Sequence, residues 1–207
     1  MSEPTEVGLA SLDAFDKRVD AAFDHLRGKP RLDRAAALIS NLADYGLVWV
    51  LMAGLKARRR GAGRRRAVLA LGSAGFSSLG LSRVVKQSVE RQRPDAHLEA
   101  MVRTPTSSSF PSGHTLAAFC TAVVLSEGEA QTTAAVGFAS AVAVSRVHLR
   151  AHHPSDVIGG AVIGSVLGLM LRPVVNVITP GRKSTSMRRL SRRASGMKGQ
   201  DFLLKRL

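Results

Sequence analysis

Three short polar stretches carry side chains that together can surround a phosphate and attack it. They read KQSVERQRP at Lys86–Pro94, FPSGH at Phe110–His114 and SRVHLRAHHPSD at Ser145–Asp156. Phosphoryl transfer needs positive charge and hydrogen-bond donors around the equatorial oxygens, a nucleophile in line with the leaving group, and a proton for that group. Lys86, Arg93 and Arg146 are the candidates for charge. Arginine's planar fork can hold two phosphate oxygens, and lysine acts as a point charge. Ser112 and the backbone N–H of Gly113 can donate further bonds, and a glycine lets backbone approach closely. A helix starting near His114 would add the favourable partial charge of its N-terminus. His152 and Asp156 lie four apart, on one face if a helical turn forms there. Asp156 then accepts the Nδ1 proton and leaves Nε2 of His152 free to attack phosphorus. His114 protonates the departing alkoxide and afterwards activates water. This scheme requires no metal and no cofactor.

Other readings of the same residues compete. His148 and His153 are alternative nucleophiles, but neither has the clean relation to Asp156 that His152 has, and His148 reads as rim or structural. A zinc site from His148, His152 and Asp156 is conceivable from spacing, although nearby arginines suit an anion better than a cation. Arg91, Arg103 and Arg150 read as rim charges. The run TPTSSSF before the second stretch reads as a loop leading into the site, with serines able to touch substrate.

The elements that must hold these stretches are apolar. The chain has 207 residues, a formal charge of +15 and a pI near 11.5, yet 45% of it is hydrophobic. Basic loops on a membrane protein account for both numbers at once, and nucleic-acid binding is disfavoured because the arginines cluster at segment ends and in the tail. Aromatic side chains are too scarce for base stacking. A single cysteine, Cys120, excludes an internal disulfide and a thiolate metal site. No cleaved signal peptide is visible at the N-terminus. Residues 9–27 carry Leu9, Leu12, Phe15, Val19, Phe23 and Leu26 at helical spacing, with Asp13, Asp16, Lys17, Asp20 and Asp24 on the other side. This amphipathic segment is expected to lie at a membrane interface or on a helical bundle, without a part in the chemistry.

Five candidate spans follow, at 35–55, 67–85, 110–126, 131–147 and 157–178. Asp44 interrupts the first and is expected to be paired in the interior. The expectation is therefore an all-α membrane bundle of about five transmembrane helices, or six helices with the N-terminal one. Gly160, Gly164 and Gly168 form a small-residue row suited to close helix contact, within the chain or in a homo-oligomer. Seven Lys or Arg residues between Lys56 and Arg66, and nine from Gly181 onward, are expected on the cytoplasmic side. That parity puts the three polar stretches on the outer face. The tail is expected to meet anionic lipid.

The three stretches resemble the motifs of the type 2 phosphatidic acid phosphatases, the PAP2 or lipid phosphate phosphatase superfamily. The first matches lysine, six residues, arginine-proline at Lys86, Arg93 and Pro94. The second is PSGH at Pro111–His114. The third matches serine-arginine, five residues, histidine, three residues, aspartate at Ser145, Arg146, His152 and Asp156. The resemblance implies an all-helical, metal-independent membrane phosphatase, with His152 as nucleophile supported by Asp156. It makes His114 the acid and sets Lys86, Arg93, Ser112, Gly113 and Arg146 around phosphate. It covers roughly 35–178, leaving 1–34 as an interfacial helix and linker and 179–207 as a basic cytoplasmic tail. The stretch RTPTSSSFPSGHT is similar to actinobacterial members. Some of these act on decaprenylphosphoryl-5-phosphoribose in cell-wall precursor synthesis, and others in the superfamily on undecaprenyl diphosphate, phosphatidic acid or phosphatidylglycerophosphate. A lipid phosphotransferase, a vanadate haloperoxidase and a non-enzymatic anion-binding scaffold are the remaining readings.

Overall fold

A computed structural model of the chain describes residues 4–44, 80–94, 107–126 and 128–178, with isolated positions between 54 and 75. Six helices are formed among the described residues: α1 Pro4–Asp24, α2 Pro30–Asp44, α3 Ser82–Ser88, α4 Gly113–Leu125, α5 Glu129–His148 and α6 Pro154–Ile178. Pro4, Pro30 and Pro154 open their helices at a position where the missing N–H costs nothing. Gly28, at φ 75°, turns the chain between α1 and α2 in the left-handed region that glycine enters without a Cβ penalty.

The centre of the fold is the pairing of α4 with α6, backed by α5. The row Gly160, Gly164 and Gly168 makes that pairing close. A Cβ on Gly160 would sit 2.6 Å from the carbonyl oxygen of Ser112, and one on Gly168 would sit 2.7 Å from Cβ of Val123. A Cβ on Gly164 would collide with the backbone carbonyl of Leu116. The row expected as a helix contact is therefore used inside the chain, against α4. Ala118, Ala122, Val124 and Leu125 of α4 meet Ala135, Ala139 and Val142 of α5 in the main apolar core. The other side of α6 leaves Ile158, Val162, Val166, Leu169 and Val177 exposed as one apolar stripe.

The expected bundle of about five transmembrane helices, or six helices with the N-terminal one, is corrected by this structure. Among the described residues one helix, over Pro154–Val177, is long and apolar enough to cross a bilayer. The α4 helix is apolar but has only 13 residues, about 20 Å at 1.5 Å per residue, short of a hydrocarbon core about 30 Å thick. The α5 helix is long enough, but Glu129, Arg146 and its threonines and serines dilute its apolar character. The α2 helix starts ahead of the first expected span with Arg31, Asp33 and Arg34 and carries Asn41 and Asp44 inside it. The rest of that span, most of the second, the basic loop 56–66, the loop 95–106 with Arg103, and the tail from Gly181 lie outside the described residues. The all-α class itself holds.

The α1–α2 hairpin is fastened to the end of the bundle where α5 stops and α6 starts. Arg27 donates from Nε to the His148 carbonyl at 3.0 Å and from Nη2 to the Val147 carbonyl at 2.9 Å. Carbonyls in the last turn of a helix lack helical partners, and a guanidinium both satisfies them and complements the helix dipole. Arg27 also pairs with Asp20 and with Asp24. Arg150, at φ 51°, ends α5 in a conformation that glycine usually takes, and its side chain reaches Asp20 at 3.2 Å and Asp24 at 2.9 Å. Asp33 of α2 holds Nε2 of His148 at 2.8 Å. Asp16 of α1 thus faces protein and Asp20 and Asp24 reach the α5 end, while Leu12 and Phe15 of α1 and Leu26 just after it stay exposed.

Candidate active site

All the motif residues except Arg93 sit at or beside a helix end. Lys86 is in the last turn of α3, and Arg93 in the extended segment that follows. Ser112 precedes α4, while Gly113 and His114 open it. Arg146 is in the last turn of α5, His152 in the turn after it, and Asp156 in the first turn of α6. Helix ends are where backbone groups are unsatisfied, so anion binding and loop anchoring collect there.

His152 is buried, with 3% exposure. Its Nε2 faces Nη1 of Arg93 at 3.3 Å. Its Nδ1 is 2.8 Å from the Ser109 carbonyl oxygen, which can only accept, so Nδ1 carries the proton and Nε2 keeps its lone pair. Asp156 stands farther off, with Oδ2 3.8 Å from Nδ1. The partner expected to take the Nδ1 proton is therefore joined by a nearer one, a backbone carbonyl, and Asp156 acts on the ring at a distance. Burial pushes the His152 imidazole down to about 3. Asp156 opposes that shift, and the charges of Arg146 and Arg93 reinforce it. The ring is neutral at physiological pH, as attack through nitrogen demands.

Asp156 is fully buried and ties all three stretches together. Its Oδ1 accepts from Nη1 of Arg91 at 2.7 Å. Its Oδ2 accepts from the Ser109 hydroxyl and from the backbone N–H of His153, the latter at 2.9 Å. Its carbonyl accepts from the backbone N–H of Ser112 at 3.1 Å. Arg93 is fixed by the carbonyls of Ala151 at 2.8 Å and Ser107 at 3.1 Å. Lys86 lies near the Ser107 hydroxyl, with Nζ 3.4 Å from Oγ. Burial, then repulsion from Arg93 and Arg146, pushes the Lys86 ammonium down to about 8. Burial likewise holds Arg93 below its ordinary value, with Asp156 opposing. Repulsion of the half-buried Lys86 by two neighbouring guanidinium groups suits a place that takes an anion.

Arg146 is fully buried and donates to the hydroxyl of Ser40 on α2. The Ser112 hydroxyl accepts from that of Thr115 at 3.0 Å. A Cβ on Gly113 would lie 3.5 Å from the Ser82 hydroxyl, an ordinary contact, so protein packing alone does not require the glycine. His114 is half-buried in the first turn of α4.

His148 is drawn away to Asp33, and no group of three or more His, Cys, Asp or Glu side chains that could hold a metal ion gathers among the described residues. The zinc arrangement from His148, His152 and Asp156 is thus not formed. Arg91 is no rim charge. It bridges Asp156, the Ser155 hydroxyl at 2.7 Å and Asp16 of α1 at 2.6 Å. Burial works against its charge, but hydrogen bonds and proximity to Asp16 and Asp156 raise its pKa above the usual value. One sequence signal pointed to it: Arg91 and Arg93 alternate in an extended segment, and such residues share a side. Asp16, Ser40 and Ser155 had no comparable signal.

The PAP2 superfamily profile matches residues 66–179. Decaprenylphosphoryl-5-phosphoribose phosphatase of Mycolicibacterium smegmatis is 35% identical over 65% of this chain and 74% of its own length. The protein of that name from Mycobacterium tuberculosis is 30% identical over 70% of this chain and 82% of its own. The crystal structure of a transmembrane PAP2 type phosphatidylglycerolphosphate phosphatase from Bacillus subtilis superposes with a TM-score of 0.67 at 28% identity, covering 83% of this chain and 90% of that one. That of Aquifex aeolicus LpxE gives 0.59 at 25% identity, covering 74% and 92%.

Proposed function

The chain belongs to the PAP2 superfamily and is a hydrolase of phosphate monoesters, and from that premise we propose that it releases phosphate from a polyprenyl-linked or phospholipid substrate through a phosphohistidine intermediate. The observation that carries this reading is the state of His152: neutral, with Nδ1–H on the Ser109 carbonyl and Nε2 turned toward Arg93. Nε2 attacks phosphorus as the bond to the lipid oxygen breaks. The leaving alkoxide takes a proton from His114. The phosphoimidazole is cationic, and the Asp156 carboxylate and the Ser109 carbonyl oxygen stabilise it. Water then gives a proton to His114 and attacks phosphorus, the N–P bond returns its electron pair to Nε2, and inorganic phosphate leaves. Lys86, Arg93, Ser112, the Gly113 N–H and Arg146 surround the phosphoryl oxygens throughout.

The headgroup we favour is decaprenylphosphoryl-5-phosphoribose, because the two mycobacterial proteins align over 74% and 82% of their lengths. Phosphatidylglycerophosphatase B of Bacillus subtilis, 34% identical, aligns over 50% of its own. Phosphatidylglycerophosphate and undecaprenyl diphosphate are the alternatives. The α6 helix supports one orientation. Its first turn holds Asp156, its other end leads to the basic tail, and positive-inside bias puts that tail in the cytoplasm and the site on the outer face. The α1 helix and the turn after it, with Leu12, Phe15 and Leu26 exposed, suit the interface beside the site.

The test is phosphate release in EDTA from detergent-dispersed prenyl phosphoribose phosphate, undecaprenyl diphosphate, phosphatidylglycerophosphate and phosphatidic acid. Highest kcat/KM on the first supports the headgroup reading, and preference for another reassigns it. Anion binding without turnover on any substrate overturns the enzymatic mechanism.

A further inference from the structure

We propose that Asp16 of α1 is a positioning residue for hydrolysis, acting through Arg91 on the charge of Asp156, so that the N-terminal helix is part of the working site. The inference rests on reading His152 and Asp156 as the nucleophile pair.

Asp16 has 3% exposure although its helix lies on the outside of the bundle. Its Oδ1 accepts the backbone N–H of Ser155 at 2.8 Å, and its Oδ2 accepts the Ser155 hydroxyl at 2.7 Å and Nη2 of Arg91 at 2.6 Å. The other terminal nitrogen of Arg91 serves the Ser155 hydroxyl and Oδ1 of Asp156, both at 2.7 Å. One guanidinium is thus shared by two buried carboxylates. Paired with Asp156 alone, it would neutralise that carboxylate. Shared with Asp16, it leaves the cluster one net negative charge beside His152. That charge has no work in the resting state, where the imidazole is neutral. It matters once Nε2 is bonded to phosphorus and the ring is positive. Ser155 belongs to the first turn of α6, so the same carboxylate also fixes the backbone from which Asp156 projects.

Docking of the helix does not depend on this residue. Arg27 on the α5 carbonyls, Arg150 on Asp20 and Asp24, and His148 on Asp33 hold the hairpin separately. The expected signature therefore falls on kcat. An uncharged residue at position 16 removes negative charge from a site that binds an anion, so substrate affinity is kept or improved while formation of the cationic intermediate suffers.

The experiment compares the full chain in detergent with Asp16→Asn, Asp16→Glu, Asp13→Asn and His152→Ala, using phosphatidic acid and para-nitrophenyl phosphate and recording thermal unfolding for each. Asp13 is exposed, 3.8 Å from Arg91 at its nearest, and controls for loss of charge on the same helix. Asp16→Asn is expected to lower kcat by about 10- to 100-fold with KM unchanged or reduced. Asp16→Glu is expected to recover part of the loss, and Asp13→Asn to stay within about twofold of the parent. Parental kcat in Asp16→Asn beside an inactive His152→Ala overturns this inference alone, as does a raised KM at constant kcat. Full turnover by His152→Ala overturns the nucleophile reading and this inference with it. Should Asp16→Asn fail to fold, Asp16→Glu decides by the same measure: lowered kcat supports the inference, and parental kcat overturns it.

Discussion

His148 and His152 are four residues apart, both buried, and both have an aspartate for company. Their surroundings are nonetheless opposite. His148 ends α5 with Nε2 directly on Asp33 at 2.8 Å, Phe23 edge-on to its ring, and the Arg27 guanidinium on its carbonyl. Each contact joins the α1–α2 hairpin to the bundle. His152 has its carboxylate at 3.8 Å, its Nδ1 on a carbonyl and its Nε2 toward a guanidinium. The first ring is locked by a partner at the nitrogen that chemistry would need. The second has that nitrogen turned to a cluster of cations. A buried histidine with a carboxylate is not by itself a nucleophile. The state of the far nitrogen makes the distinction.

Replacing each ring with alanine gives the largest contrast. His152→Ala is expected to lower phosphate release by at least about a thousandfold while thermal unfolding stays near the parent. His148→Ala is expected to retain turnover within several-fold but to lose about 3 kcal/mol of stability, since Asp33 is left buried without its partner. Denaturant midpoints and phosphate release, measured side by side, check both. Turnover lost equally in the two variants would erase the distinction.

The pH dependence sharpens it from the cation side. Lys86 has its pKa depressed to about 8. Its charge helps to hold phosphate, so kcat/KM is expected to fall as pH rises through about 8, well below lysine's ordinary value near 10.4. Lys86→Arg keeps the charge at every working pH and should move that limb upward. His152, at about 3, sets no acid limb above pH 4. Its depressed value has a stability consequence of definite sign. Burial of the neutral ring leaves stability intact above the unfolded-state pKa of about 6.5, and that stability is lost as pH falls from there toward 3, where the ring must charge. His152→Ala should remove this part of acid sensitivity, which an unfolding series between pH 7 and 4 measures.

Sequence alone reached part of one histidine's surroundings and missed the other's. Lys86, Arg93, Ser112, Arg146, His152 and Asp156 were legible as a set because phosphate chemistry calls for these residue types and they fall in three short polar stretches. Helices α4, α5 and α6 were legible because apolar periodicity and bounding polar turns mark them. Asp16 and the His148–Asp33 pair were not, and Arg91 was marked only by its alternation with Arg93. Asp16 and Ser155 are 139 residues apart, and His148 and Asp33 are 115 apart, so no local pattern records either pairing. The number of crossings was overread for a related reason. Apolar residues along α5 are needed for packing on α4 and α2, and such a core helix shares its composition with a weak transmembrane one.

Ser109 provides the smallest test, because it serves the nucleophile twice. Its carbonyl oxygen orients Nδ1 of His152, and its hydroxyl donates to Oδ2 of Asp156. Ser109→Ala keeps the first and deletes the second. Asp156 would still hold Arg91 and the His153 N–H, so the carboxylate remains charged and placed. The expected loss in kcat is about 3- to 10-fold, equivalent to roughly 1 kcal/mol for one hydrogen bond, with KM unchanged. Steady-state kinetics on a phosphatidic acid dispersion resolve a change of that size. A loss as large as that of His152→Ala would mean that the hydroxyl, rather than the carbonyl, keeps the ring in its reactive tautomer. The difference between the two histidines would then rest on a side chain instead of on the backbone.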